Sequence, residues 1–189
     1  MFSTSLHILR DRAALPKTTD KLVKAWIHRI LVKLGGASRL GGLFGFEDAL
    51  FADYLNLRSF IDDKGEVDIE AVTAKLVAQL RELESSKHLM GLPSALKSNI
   101  AAIRGQLKLS AAAQQILGFV VLMHSVRELR YAAKLMGDLS SRELVQALAA
   151  ILRLSPQSVR SEIGCGGALI ASGLVTVERA RPTEMPHKL

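Results

Sequence analysis

Cys165 sits in the run Gly164-Cys165-Gly166-Gly167 and is the chain's one cysteine. It is therefore the first residue to test for covalent chemistry. A nucleophilic thiol needs its pKa lowered by a nearby His or by a helix N-terminus. The five histidines, His7, His28, His88, His124 and His187, are scattered, and none stands in a sequence relation to it. A small, buried, unreactive cysteine is the expected reading. The histidines show neither HExxH spacing nor a Cys/His cluster, so no metal site is expected. The acidic residues Asp62, Asp63, Glu66 and Asp68 superficially suggest a calcium loop. With Gly65 in the sixth position, Phe60 falls where the first ligand belongs, and the site is rejected. The stretch Gly35 to Gly45 (GGASRLGGLFG) has the glycines that let N–H groups crowd an anion. It lacks the Lys-Ser/Thr pair of a P-loop and no strand precedes it, so it reads as a flexible linker. No Walker A motif is present, and neither enzymatic activity nor a cofactor is expected.

The residue types that remain are those of recognition. Glu143 to Arg179 reads as helix, tight turn, second helix and short β-branched strand, the order of a winged helix-turn-helix. Leu154 to Val159 (LSPQSV) fits the turn, and Ser172-Gly173-Leu174-Val175 fits the entry to the wing. The solvent side of the second helix would offer Gln157, Ser158, Arg160, Ser161 and Glu162. Base reading needs Arg, Lys, Asn or Gln at base edges while other cations hold phosphates. Only Gln157 and Arg160 fit, and Glu162 would repel the backbone. The glycine run at 164–167 breaks the helix, because each glycine costs ~1 kcal/mol in a helix interior. The wing adds Arg179 and Arg181 but no dense cluster, a low count for phosphate neutralisation. Gln157, Arg160, Arg179 and Lys134 are the candidate nucleic-acid or partner-binding residues. Protein docking or intramolecular packing is favoured over DNA readout.

Several helices must position these residues. In the first, Thr19 to Leu34, Leu22, Val23, Trp26, Ile27, Ile30, Leu31 and Leu34 make a broad apolar face. Lys21, Lys24, His28, Arg29 and Lys33 are expected off that face, with Thr19 or Asp20 as cap and Gly35 left-handed at the end. Phe46 to Phe60 reads as helical. Asp68 caps a helix to about Glu84 whose stripe of Ile69, Val72, Leu76, Leu80 and Leu83 packs on one neighbour. Ser85 to Pro93 is a break, and a helix resumes from Ser94 to about Arg104. From Ser110, the run Ala111 to Met123 is apolar nearly all round and should be buried. Capping boxes at Ser125–Glu128 and Ser140–Glu143, and Ser155-Pro156, open three further helices. Gly173 then releases Leu174 to Glu178 as a strand.

Leu and Ala dominate while aromatics are 5%, so the class is mainly α. The expected architecture is a bundle-like N-terminal subdomain (1–90), a connecting helix or linker (91–109), a winged helix-turn-helix-like subdomain with a short β wing (110–180) and a tail or linker (181–189). No stretch approaches the ~20 apolar residues of a membrane span, and the N-terminus MFSTSLHILRDR has no secretory pattern. A lone cysteine fits a reducing cytosol, so a cytoplasmic location is expected. Residues 1–40 carry eight Lys/Arg against two Asp, residues 41–104 seven against ten acids, and residues 105–189 ten against six. This basic–acidic–basic layout suits an acidic partner, nucleic acid, or one segment docking on another.

Leu109 to Arg179, LSAAAQQILGFVVLMHSVRELRYAAKLMGDLSSRELVQALAAILRLSPQSVRSEIGCGGALIASGLVTVER, resembles the helix-rich region that precedes the ATPase core in a group of bacterial AAA+ ATPases. The resemblance extends more weakly to the first helix and to Phe46–Glu84. No nucleotide-contacting residue carries over, since no position here matches one. The resemblance implies a recognition or regulatory module that docks a protein partner, or the ATPase core of the same or a neighbouring polypeptide. The alternative it leaves is a DNA-binding winged-helix regulator.

Overall fold

Ser140 and Ser155 start helices as the sequence implies, whereas Ser125 does not and the N-terminal half departs from its expected pattern. The computed structural model describes residues 15–41, 48–62, 64–85, 90–179 and 181–189. His7, His88, Asp63, Phe46 and the stretch MFSTSLHILRDR lie outside them. The described chain is mainly helical, with one two-stranded antiparallel sheet. The helices are α1 (Lys17–Lys33), α2 (Ala49–Tyr54), α3 (Ile69–Ser85), α4 (Ser94–Leu107), α5 (Ala111–Ser125), α6 (Arg127–Lys134), α7 (Ser141–Leu152), α8 (Pro156–Ile163), α9 (Ala168–Ala171) and α10 (Met185–Lys188). Strand β1 (Asp138–Leu139) lies between α6 and α7, and β2 (Thr183–Glu184) lies just before α10.

Caps at Asp68, Ser140 and Ser155 work as the sequence implies, and Ser110 supplies a further one. Asp68 accepts from Ala71 N at 2.9 Å to start α3, and Ser110 accepts from Ala113 N at 3.0 Å to start α5. Ser140 and Glu143 form the reciprocal box that opens α7. Hydrogen bonds from Ser140, its side chain first and its backbone N–H second, hold the Glu143 carboxyl below its usual value. Ser155 caps α8 in the same way, with Pro156 at its first position.

The box expected at Ser125 does not form. Ser125 Oγ bonds back to Val121 O at 2.7 Å, and Val126 stands at the N-cap of α6 without a side-chain bond. A hydroxyl on the last turn of α5 meets the i−4 carbonyl of its own helix before it can reach forward. At α1 the helix begins after Pro16, and Thr19 Oγ1 instead donates to Gly91 O at 3.0 Å. The segment from Gly35 to Gly41 is not a loose linker. Gly36–Arg39 forms a 3-10 turn with Gly36, Ala37 and Leu40 buried, while Gly35 has the expected left-handed φ of 75°. Among the described residues of the stretch expected as helix to Phe60, only α2 and a turn at Arg58–Phe60 are helical.

Within the core, α1 reaches α5 through an aromatic contact. Trp26 meets Phe119 edge-on with ring centroids 5.3 Å apart, and both are buried. Such a pair adds about 0.5–1.5 kcal/mol beyond the area it buries. From there α1 packs against α3, α6 and α7, and one continuous apolar cluster runs from Val23 to Met185. The N-terminal and C-terminal halves share this core.

The basic residues of α1 are not all solvated. His28 and Arg29 are 3% and 7% exposed. His28 Nδ1 lies 2.6 Å from Lys24 O, and Nε2 lies 2.9 Å from Gln79 Oε1, whose amide nitrogen donates to Leu55 O. Arg29 Nε donates to Glu84 at 3.0 Å, and its Nη1 donates to Ile151 O at 2.7 Å. α1 is clasped on more sides than an amphipathic surface helix, so its polar positions are enclosed and need partners.

Leu174 to Glu178 is extended but is not a strand. Val175 N bonds to Leu169 O and Glu178 N to Lys188 O, so its donors go to α9 and α10 rather than to a ladder. The sheet pairs β1 with β2 instead, Asp138 opposite Glu184 and Leu139 opposite Thr183. Residues 183–189, expected as a tail, pack back onto the body. Met185 is fully buried, and Lys188 Nζ donates to Arg181 O at 2.8 Å.

Arg29→Met should leave the Ile151 carbonyl without its donor and cost about 1–3 kcal/mol, read as a lower Tm. Burial alone would raise the Glu84 carboxyl, but hydrogen bonds from Arg29 and then Lys33 outweigh it and hold the group below its ordinary 4.5. A carboxyl with a depressed folded-state pKa stabilises fully above its unfolded value, and that stabilisation drains as pH falls through the folded value. Below about pH 4.5, Glu84→Gln should therefore lose less stability on acidification than the parent, as Tm against pH will show.

Candidate functional site

α7 and α8 are joined by the short turn Arg153 to Ser155, with Arg153 in the left-handed conformation (φ 58°). The pairing brings the first turn of α7 beside the last turn of α8. The extended segment after Gly173 (φ 71°) then runs past both. The three elements bound a groove of about 230 Å³ lined by Ser141, Arg142, Leu144, Val145, Arg160, Ile163, Gly164, Val177 and Arg179. It has three guanidinium groups and no carboxylate in its lining. Arg142 and Arg160 are exposed, and their side chains make no hydrogen bond or ion pair among the described residues. Arg179 donates through Nη2 to Ile163 O at 2.7 Å. That carbonyl is one of the last of α8, so Arg179 closes the helix C-terminus and leaves its other donors to the groove.

Of the four residues singled out from sequence, the fold brings Arg160 and Arg179 together. Lys134 ends α6 and pairs with Glu184 at 3.9 Å, so it belongs to the β1–β2 side. Gln157 is exposed on the first turn of α8 and does not line the groove. Arg142 completes the arginine set. Its signal was available, since an antiparallel helix pair with a three-residue turn sets the first turn of one helix against the last turn of the other. Glu162, expected to repel a phosphate backbone, accepts from Ser110 Oγ at 2.7 Å at the start of α5, away from the groove.

The glycine run is a break, as expected, and its geometry requires it. A Cβ on Gly167 would overlap the Glu162 carbonyl and lie 2.6 Å from Ser161 O. One on Gly164 would lie 2.7 Å from Arg160 O. The chain thus folds tightly over the end of α8 before α9 begins. Cys165 is exposed on this turn rather than buried, because the turn faces outward with Gly166 beside it, also exposed.

A second cleft, of about 240 Å³, lies between α1 and α3 and is lined by Lys24, His28, Tyr54 and Gln79 among others. Its polar groups largely satisfy one another. Asp20 takes both Lys24 (3.1 Å) and the Tyr54 hydroxyl (2.8 Å), Lys24 lies over the Tyr54 ring, and His28 meets Gln79. Among the described residues no group of three or more His, Cys, Asp or Glu is placed to hold a metal. Compared with protein-family models, curated proteins and solved structures, the chain matches none.

The turn that seats α8 gives a paired test. Gly167→Ala should destabilise by about 1–3 kcal/mol through backbone overlap. Gly166→Ala meets open space and should be neutral or stabilising by up to about 1 kcal/mol. Parallel thermal melts distinguish the two.

Proposed function

We propose that the protein is a non-catalytic recognition module that docks a protein partner through the α7–α8 groove. The observation that carries this reading is a concave site that, among the described residues, has three arginines, two of them with unpaired side chains, and no acid in its lining. Some basic side chains elsewhere find internal partners, as Arg29 and Lys33 do at Glu84 and Arg127 does at Asp48. The groove keeps its charge for something outside the chain. Service to a AAA+ ATPase rests on the resemblance of residues 109–179, and a Walker A and B reading frame continuing from or beside this one is what that role expects.

DNA binding by a winged helix is the second reading. It gains from Glu162 being tied to Ser110, which removes one repulsion, and from a strand before α7 pairing with one after α8.

The docking reading expects retention on immobilised polyglutamate at low salt, fading as ionic strength passes roughly 0.1 M, where charges more than ~10 Å apart are screened. Arg142→Ala with Arg160→Ala should abolish retention while leaving Tm unchanged, since neither side chain holds the fold. Equal retention of parent and double variant would sink the reading.

A further inference from the structure

We propose that the α7–α8 groove takes an acidic peptide that seats one large apolar side chain between flanking carboxylates. The inference rests on the docking reading and names the occupant. Two features of the groove point the same way. Its rim carries Arg142, Arg160 and Arg179, which attract carboxylates and can grip them in bidentate fashion. Its floor is apolar, built from Val145, Ile163 and Val177. Val145 and Ile163 are almost closed off at 7% and 4% exposure, and Val177 is half-buried.

A purely electrostatic contact has no use for that floor. Duplex phosphates meet arginines at a rim, but a double helix cannot send an apolar group into a cleft of about 230 Å³ between two helices. A peptide can. An apolar anchor in a closed pocket, ringed by polar contacts that exclude water, is the arrangement in which interface energy concentrates. Rim charges then steer the encounter and reject basic segments. The helices that form the docking surface are braced within the chain itself. Ser140 and Ser155 cap the two helices, Arg179 closes α8, and the glycine turn locks the exit from α8. Little ordering cost is left for the partner to meet on this side.

Fluorescence polarisation on the full chain tests this with four labelled probes: an Asp/Glu-rich peptide with a central Phe, the same peptide with Ser in its place, polyglutamate, and a short DNA duplex. The Phe peptide should bind roughly tenfold or more tightly than the Ser peptide, the worth of burying one large apolar side chain. Val177→Ser should erase that difference while leaving polyglutamate binding intact. Arg142→Ala should weaken all the acidic probes together, and circular dichroism checks that both variants remain folded. Equal affinity for the Phe and Ser peptides overturns the apolar anchor and leaves docking of anions standing. No binding of any acidic probe overturns the docking reading itself. Tighter binding of the duplex than of the Phe peptide overturns the peptide as occupant. Self-association that disappears in Arg142→Ala also overturns it, because the acid would then come from a second copy.

Discussion

A helix end leaves carbonyls with no partner inside the helix, and the placement of α7 and α8 depends on how theirs are met. Arg29, buried on α1, gives a donor to Ile151 O on the last turn of α7. Arg179, from the extended segment, gives one to Ile163 O at the end of α8. Each bond joins a cation to the negative end of a helix dipole, so charge and hydrogen bond reinforce each other. Arg29 also holds Glu84 on α3, which ties α1, α3 and α7 into one joint. It adds a directed bond to the apolar contacts and the Ser110–Glu162 bond that hold α7 and α8 to the body. The continuous apolar core beneath that joint, with Trp26 and Phe119 among its members, supplies the cohesion.

How much of this was legible depended on whether the signal was local. Capping boxes are local, so Ser140 with Glu143, Ser155 with Pro156, and the Asp68 cap stand where the sequence implies. Burial of charged residues is not local. Arg29 and His28 lie off the apolar face of α1, and only the arrival of α3 and α7 encloses them. Leu174 to Glu178 keeps the alternation of a strand, with Val175 buried and Thr176 exposed, yet α9 and α10 take the backbone bonds a ladder needs. The break at 164–167 was visible, but not the near approach of the Ser161 and Glu162 carbonyls that forbids a side chain at Gly167. Arg142 could be placed opposite Arg160 only through the pairing that the short α7–α8 turn implies, not from spacing along either helix.

Part of the basic–acidic–basic layout is met inside the fold. Lys33 on α1 joins Arg29 at Glu84 on α3, and Asp48 at the start of α2 takes Arg127 from α6. The exposed pairs among these contribute about 0–1 kcal/mol each, so their effect lies in orientation rather than in overall stability. The arginines of the α7–α8 groove stand apart from that cancellation.

The two arginine caps differ in reach, and the difference is one of time. The bond from Arg179 to Ile163 closes a span of 16 residues, whereas that from Arg29 to Ile151 closes one of 122. Loop closure costs about 0.6 kcal/mol more for each doubling of length, roughly 2 kcal/mol between these two spans. Contacts between distant residues pay that entropy before they return any energy, which places them late in folding. The helix pair that bounds the groove is thus built from neighbouring sequence and acquires its α8 cap early. Its attachment to α1 follows, when a residue near the start of the described chain reaches α7.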